Sequence, residues 1–342
     1  MAQLVFGVSA YAAPAYTPKV LHEKDWQVVC DNTHRCVAAG YSAAGATSNP
    51  AAVIIYREAG PASRPFITVK TQFRAMYDND IVLRVGTTEI MSLKPNNGII
   101  KPGVFINNMS LTKEQEDALL SWILKTDEIE VSQAGSKLFI SMAGAKEVLL
   151  QMDAWQGRIN TRSALAQRGN KADDTVLKPA PLPVLRAIEP SLANKPGDAL
   201  LAQTLLSQVA KNTIDPECLP EHDKTAKVNR LTDDKVLLSL TCPKRFYSSM
   251  THNWIAHDKA PHRPVAIDGK GMFILIQGGP IAARGYLRQT TMARNTDDCY
   301  DEQGWVFTGK DFSLEDVWTT GLCRGFAYGV TPFFSYRTKL KD

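Results

Sequence analysis

Nowhere past its first few residues does the chain hold an uninterrupted apolar run near the roughly 20 residues that a membrane-crossing helix needs, so no helical span is expected. Glycine-rich phosphate loops are missing too. Asp268–Gly271 reads Asp-Gly-Lys-Gly and offers neither the Walker spacing nor G-x-G-x-x-G. No serine stands in G-x-S-x-G, the turn that exposes a nucleophilic hydroxyl in one hydrolase class. The S-x-x-K at Ser110-Leu111-Thr112-Lys113 lacks its S-D-N and K-T-G partners and is explained equally by the start of a helix. Charge of one sign is not concentrated: residues 1–170 hold 17 Lys+Arg against 15 Asp+Glu, and the net charge of +4 divides evenly between the halves. A nucleic-acid surface needs a basic patch or stripe, so none is expected.

What the sequence does have begins with six cysteines, Cys30, Cys36, Cys218, Cys242, Cys299 and Cys323. They fall into near pairs along the chain, which favours Cys30–Cys36, Cys218–Cys242 and Cys299–Cys323 as disulfides. No pair has the C-x-x-C spacing of zinc or redox sites. Structural disulfides imply an oxidising compartment. The N-terminus points the same way: Leu4–Val8 is a short apolar run, and Ala10-Tyr11-Ala12 has the A-x-A form of a cleavage site, although a basic leader is absent. The expected location is the periplasm.

At 342 residues, two domains are the default. Short segments rich in Val, Ile and aromatics predict strands at Trp26–Cys30, Cys36–Tyr41, Ala52–Tyr56, Phe66–Thr71, Ile81–Val85, Ile129–Ser132 and Leu138–Met142. Thr112–Lys125 predicts a helix, with Thr112 as N-cap, Gln115 three residues on, and Leu119, Leu120, Ile123 and Leu124 on one face. Further helices are predicted over Ala145–Met152 and Thr161–Gln167. Five prolines between Gly169 and Leu200 suggest an extended spacer. Beyond it, Asp198 is a candidate cap for a helix over Ala199–Lys211, followed by strands at Val236–Cys242, Trp254–His257, Met272–Ile276, Trp305–Thr308 and Phe333–Tyr336. The expected fold class is α+β, mainly antiparallel β, with a tail at 1–19, a β-rich unit at 20–169, a Pro-rich linker at 170–197 and an α+β unit at 198–342.

Three groups of residues are candidates for chemistry. Met152–Thr161 mixes Trp155, Gln156 and Arg158 at a turn between helices; it is either a recognition surface, since Trp and Arg are favoured anchors, or a helix cap at Gly157 with Trp155 in the core. His252, His257 and His262 are weak metal candidates, because a spacing of five alternates faces of a strand; the plainer reading is a solvated loop. Asp297, Asp298, Asp301 and Glu302 surround Cys299 without EF-hand register, and a hydrated acidic turn explains them as well. No cofactor is expected.

The stretches Asp25-Trp-Gln-Val-Val-Cys-Asp-Asn-Thr33 and Cys36-Val-Ala-Ala-Gly-Tyr41 resemble the opening of the DUF1176 family of uncharacterised proteobacterial envelope proteins. Met152-Asp153, Gln156-Gly157-Arg158, Thr161 and Ala164-Leu165 continue the likeness, and Asp298-Cys299, Trp305, Phe312, Leu314 and Cys323-Arg324-Gly325 resemble its closing motif. The N-terminal half is also similar in layout to invasion-associated locus B proteins, though it holds one cysteine pair before residue 170 where that family has a second. Both likenesses imply an envelope location. The function expected is a non-catalytic binding or interaction module taking an envelope protein or a small ligand; the alternative is a hydrolase of an envelope polymer, using carboxylates or the histidines.

Overall fold

The protein is described by a computed structural model covering residues 17–44, 49–73, 77–101, 104–189, 193–210, 212, 214, 218, 225–243, 249–267, 285–292 and 298–341. The signal-like segment and the strand expected at Met272–Ile276 lie outside the described residues. Nine strands come first: β1 (Lys19–Glu23), β2 (Trp26–Cys30), β3 (Cys36–Tyr41), β4 (Ala51–Arg57), β5 (Pro65–Phe73), β6 (Ile81–Val85), β7 (Thr88–Leu93), β8 (Asn97–Lys101) and β9 (Val104–Ser110). Helix α1 (Lys113–Ile123), β10 (Glu128–Gln133), β11 (Ser136–Ser141) and α2 (Ala145–Trp155) follow. Then come β12 (Val184–Arg186), α3 (Asp198–Gln208), β13 (Thr225–Arg230), β14 (Lys235–Pro243), β15 (Ser249–His257) and β16 (Val265–Ala266). The chain closes with β17 (Tyr286–Met292), β18 (Tyr300–Phe307), β19 (Phe312–Thr319), β20 (Phe333–Arg337) and β21 (Lys339–Lys341). The fold is mainly antiparallel β with three helices among the described residues, none long and apolar enough to cross a membrane.

A seven-stranded sheet in the order β1-β2-β3-β4-β5-β9-β8 organises the first half, and a four-stranded sheet, β11-β10-β6-β7, lies across one face. Between them Trp26, Val28, Ala38, Val53, Ile55, Ile67 and Val69 meet Ile81, Leu83, Ile129, Val131 and Ile140, closed by α1 and α2. Gly40 is fixed by this packing, since a Cβ there would fall inside the Trp26 indole, whose Nε1 donates to the Ser141 carbonyl at 2.8 Å. Helix α1 starts where expected, with a complete Thr112–Gln115 capping box. Its Glu116 accepts a bond from the Ile67 amide at 2.9 Å, tying helix to sheet.

The other face of the large sheet is covered by the far end of the chain. Val29, Val37, Ala39, Tyr41, Ala52 and Ile54 pack against Phe326, Val330 and Phe333. Side chains secure this cover: Gln72 donates to the Gly325 carbonyl at 3.1 Å and accepts from the Ala327 amide at 2.8 Å. Gln27 accepts from Leu322 at 3.0 Å, and Arg324 meets Asp25 at 2.8 Å. In the second half α3 packs on the β13-β14-β15-β16 sheet through Leu205, Val228, Leu238, Leu240 and Trp254. That sheet's other face meets β17-β18-β19-β20 through Leu237, Leu287, Trp305 and Phe307. Strands β12 and β21 pair in parallel, so the proline-rich stretch runs beside the end of the chain.

All three disulfides form with the pairing expected from proximity, Cys30–Cys36, Cys218–Cys242 and Cys299–Cys323. Two helical expectations fail. Residues 161–167 form turns, because the Asp153 carboxylate takes the amides of Leu165 and Ala166 and folds the segment back on α2. Asp198 is the first helical residue, with Gly197 at the cap; its carboxylate is drawn off to Arg230 and to the Lys195 amide.

Candidate functional site

Helix α2 ends in a turn that carries three of the candidate residues. Gly157, at φ 72°, reverses the chain, and the Arg158 amide returns to the Asp153 carbonyl at 2.7 Å. The reversal carries Gln156 and Arg158 inward, and both are fully buried. Gln156 donates through Nε2 to the carbonyls of His34 (2.9 Å) and Arg57 (3.1 Å). Arg158 donates to Gln156 Oε1 at 2.9 Å, to Ser163 Oγ at 2.8 Å and to the Gly60 carbonyl at 2.7 Å. Of the three, only Trp155 reaches solvent, partly, while packing on the core.

Arg57 completes this buried cluster. Its Nη2 donates to the Ser163 carbonyl at 2.7 Å, and its Nη1 lies 3.8 Å from Asp153. Burial and the neighbouring Arg158 push the Arg57 guanidinium down to about 9, opposed by Asp153, so it remains charged at neutral pH. Burial raises Asp153, against the amides of Leu165 and Ala166 and the Arg57 charge. The arrangement binds α2, β4 and the start of the proline-rich stretch, where the Leu177 amide donates to the Gln156 carbonyl at 3.0 Å. It is a structural joint.

The histidines divide. His252 is buried in β15, stacked on Trp254 with centroids 6.0 Å apart and beside the Cys218–Cys242 disulfide, whose sulfurs are committed to each other. His257 and His262 meet at the strand's end, where His262 Nδ1 lies 2.8 Å from the His257 carbonyl. Five strand residues put His252 roughly 16 Å from His257. Of the acidic group, Asp297 lies outside the described residues. Asp298 is buried and accepts from the Gly325 amide at 2.9 Å, while Glu302 accepts from Arg288 at 3.0 Å. These carboxylates serve separate partners.

A groove on the large sheet brings together residues that sequence reasoning did not single out. The β4–β5 hairpin pairs Tyr56 with Phe66, and β5–β9 pairs Thr68 with Ser110 and Lys70 with Asn108, so period-two alternation sets all of these on the face that Phe326 and Val330 cover further in. Cover stops where the Tyr56 hydroxyl meets Thr331 Oγ1 at 3.1 Å. Beyond that contact the face opens as a groove of about 310 Å³ lined by Arg35, Tyr56, Glu58, Arg64, Phe66, Thr68, Asn108 and Ser110. The Tyr56 and Phe66 rings lie 5.9 Å apart at 36°, and Phe66 is 47% exposed. Arg35 sits 5.7 Å over the Tyr56 ring and donates to Glu58 at 2.7 Å. Arg64 is 3.7 Å from Asp117. Thr68 is only 3% exposed, and its hydroxyl has no hydrogen-bond partner among the described residues. The hydroxyl oxygen exposes almost no surface, so Thr68 lies beneath the groove as its packed floor.

The model of a family described as protein of unknown function (DUF1176) matches residues 21–339. The chain belongs to that family. It is also 25% identical over 321 residues to the uncharacterized protein YpfG of Escherichia coli (strain K12), covering 85% of this chain and 84% of that protein. No solved structure matches. The stretches by which the sequence resembled the family fall on identifiable parts of the fold: the β2–β3 hairpin, the buried joint after α2, and the Cys299–Cys323 region that anchors the cover over the large sheet.

Proposed function

We propose that this protein is a periplasmic, non-catalytic binding module of the bacterial envelope, and that its ligand occupies the groove floored by Thr68 and flanked by Tyr56 and Phe66. The three disulfides support an oxidising compartment. The A-x-A segment and the sequence likeness to invasion-associated locus B proteins are in keeping with that location. Two units, 20–169 and 198–342, joined by the proline-rich stretch at 170–197, are part of this reading, with the closing segment of the second unit covering the same sheet face beside the groove.

The observation that carries the reading is an exposed Phe66 ring, tilted against the half-buried Tyr56 ring, in one concavity with the polar side chains of Arg35, Glu58, Asn108 and Ser110. Binding is favoured over hydrolysis because the groove is lined by a single carboxylate, Glu58, already paired with Arg35. Acid–base cleavage of a glycosidic bond calls for two.

Two measurements test this. Protein recovered from the periplasmic fraction, denatured without reductant, is expected to show no alkylatable thiol; a cytoplasmic, fully alkylated product would overturn the location. Small-molecule extract of the envelope is expected to raise the melting temperature of the full chain, and Phe66→Ala is expected to abolish the rise while melting normally without extract. An equal rise in Phe66→Ala would remove the groove from the reading.

A further inference from the structure

We infer that the groove takes an uncharged, polyhydroxylated ligand, a short saccharide segment; this rests on the binding reading above and names its ligand class. Charge is the first argument. Arg35 is matched by Glu58 at 2.7 Å and Arg64 faces Asp117 at 3.7 Å, so both guanidinium groups already have counter-charges. A site for phosphate or carboxylate leaves cationic donors in excess. A neutral ligand needs no such excess.

The second argument is the alternation of apolar and planar polar groups. The exposed Phe66 ring, tilted against Tyr56, offers an apolar platform for the C–H face of a pyranose. Around it stand the Arg35 guanidinium, the Glu58 carboxylate, the Asn108 carboxamide and the Ser110 hydroxyl. The first three are planar groups, each with two polar atoms that match the separation of vicinal hydroxyls, and together the four supply both donors and acceptors. A volume of about 310 Å³ stands at the low end of small-molecule sites, fitting a ligand of a few rings lying along an open sheet face.

The test uses the full chain and defined probes: N,N′-diacetylchitobiose, cellobiose and maltose, with trialanine and inorganic phosphate as non-saccharide comparators, each titrated by calorimetry and by amide chemical shifts. At least one saccharide is expected to bind with millimolar or tighter affinity, to shift the amides of Phe66, Thr68 and Asn108, and to weaken about tenfold in both Phe66→Ala and Asn108→Ala. Phe66 and Asn108 are exposed, so neither substitution threatens the fold. Binding of trialanine or phosphate at these amides, with none of the saccharides, would overturn the saccharide class and leave the groove as the binding site. Saccharide binding that both variants retain would overturn this site. If no probe binds while the extract still raises the melting temperature of wild type and not of Phe66→Ala, the saccharide class falls and the binding reading stands.

Discussion

Replacing Asp153 by asparagine removes one negative charge from an interior that holds two arginines. Asp153 is fully buried; its carboxylate accepts the Leu165 amide at 2.8 Å and the Ala166 amide at 2.8 Å, and it faces Arg57 at 3.8 Å. Asparagine has nearly the same shape, but one oxygen becomes an NH₂ that cannot accept from either amide. Arg57, itself 2% exposed, then has no close anion of comparable burial. Removing one partner of a buried ion pair costs about 3–5 kcal/mol, a large share of the roughly 5–15 kcal/mol that holds a typical domain folded. Urea unfolding at pH 7 should therefore show a midpoint shift of that size with an unchanged slope. In the double variant Arg57→Met/Asp153→Asn the loss should be much less than the sum of the two single losses, because the uncompensated charge is gone. A loss below about 1 kcal/mol in Asp153→Asn, or strict additivity of the two, would refute the argument that the joint after α2 is held by charge compensation.

Other expectations concern different parts of the molecule. Lys70 is pushed down to about 8 by burial, from an ordinary value of 10.5, while donating to the Val330 carbonyl. Between these values the unfolded chain holds a proton that the folded chain lacks, so stability attributable to Lys70 rises with pH from about 8 to 10.5. Wild type should gain about 2 kcal/mol relative to Lys70→Met over that window in denaturant titrations at its two ends, and equal pH profiles would exclude the effect. Removing Cys218–Cys242 by paired alanines should cost about 3 kcal/mol, since its partners are 24 residues apart. Cys30–Cys36, closing a separation of 6, should cost about 2 kcal/mol in the same thermal assay, and the reverse order would contradict the loop-entropy account. Gly40→Ala should lose about 1–3 kcal/mol in urea unfolding, because the new methyl displaces the Trp26 indole; a neutral outcome would mean the indole can move aside.

Much of the first half was legible because its signals are local. The Thr112–Gln115 cap, the α1 stripe and the Val- and Ile-rich strands are each written within a dozen residues. What escaped was non-local. The runs Trp26–Cys30, Cys36–Tyr41 and Ala51–Arg57 are buried almost throughout, a continuous apolar pattern that betrays a sheet covered on both faces, yet the cover comes from residues some 300 positions later. Trp155, Gln156 and Arg158 were weighed as a recognition surface because Trp and Arg are favoured anchors; here a single glycine turn and the Asp153 carboxylate carry Gln156 and Arg158 inside. The groove was invisible for the opposite reason. Arg35, Tyr56, Phe66 and Asn108 come from separate strands and hairpins and converge only through register. The one local hint was Phe66-x-Thr68-x-Lys70-x-Gln72, an alternation in which a large ring leads a polar face.

The cover formed by Phe326, Val330 and Phe333 has a consequence for biogenesis. Ribosomes make this stretch long after the strands it covers. Until then Ala39, Tyr41 and Ile54 have no intramolecular shelter, and the large sheet presents a bare oily face to whatever chaperone or membrane surface is nearby. Protection of that face therefore has to last until residues 326–333 have been made and have docked on it.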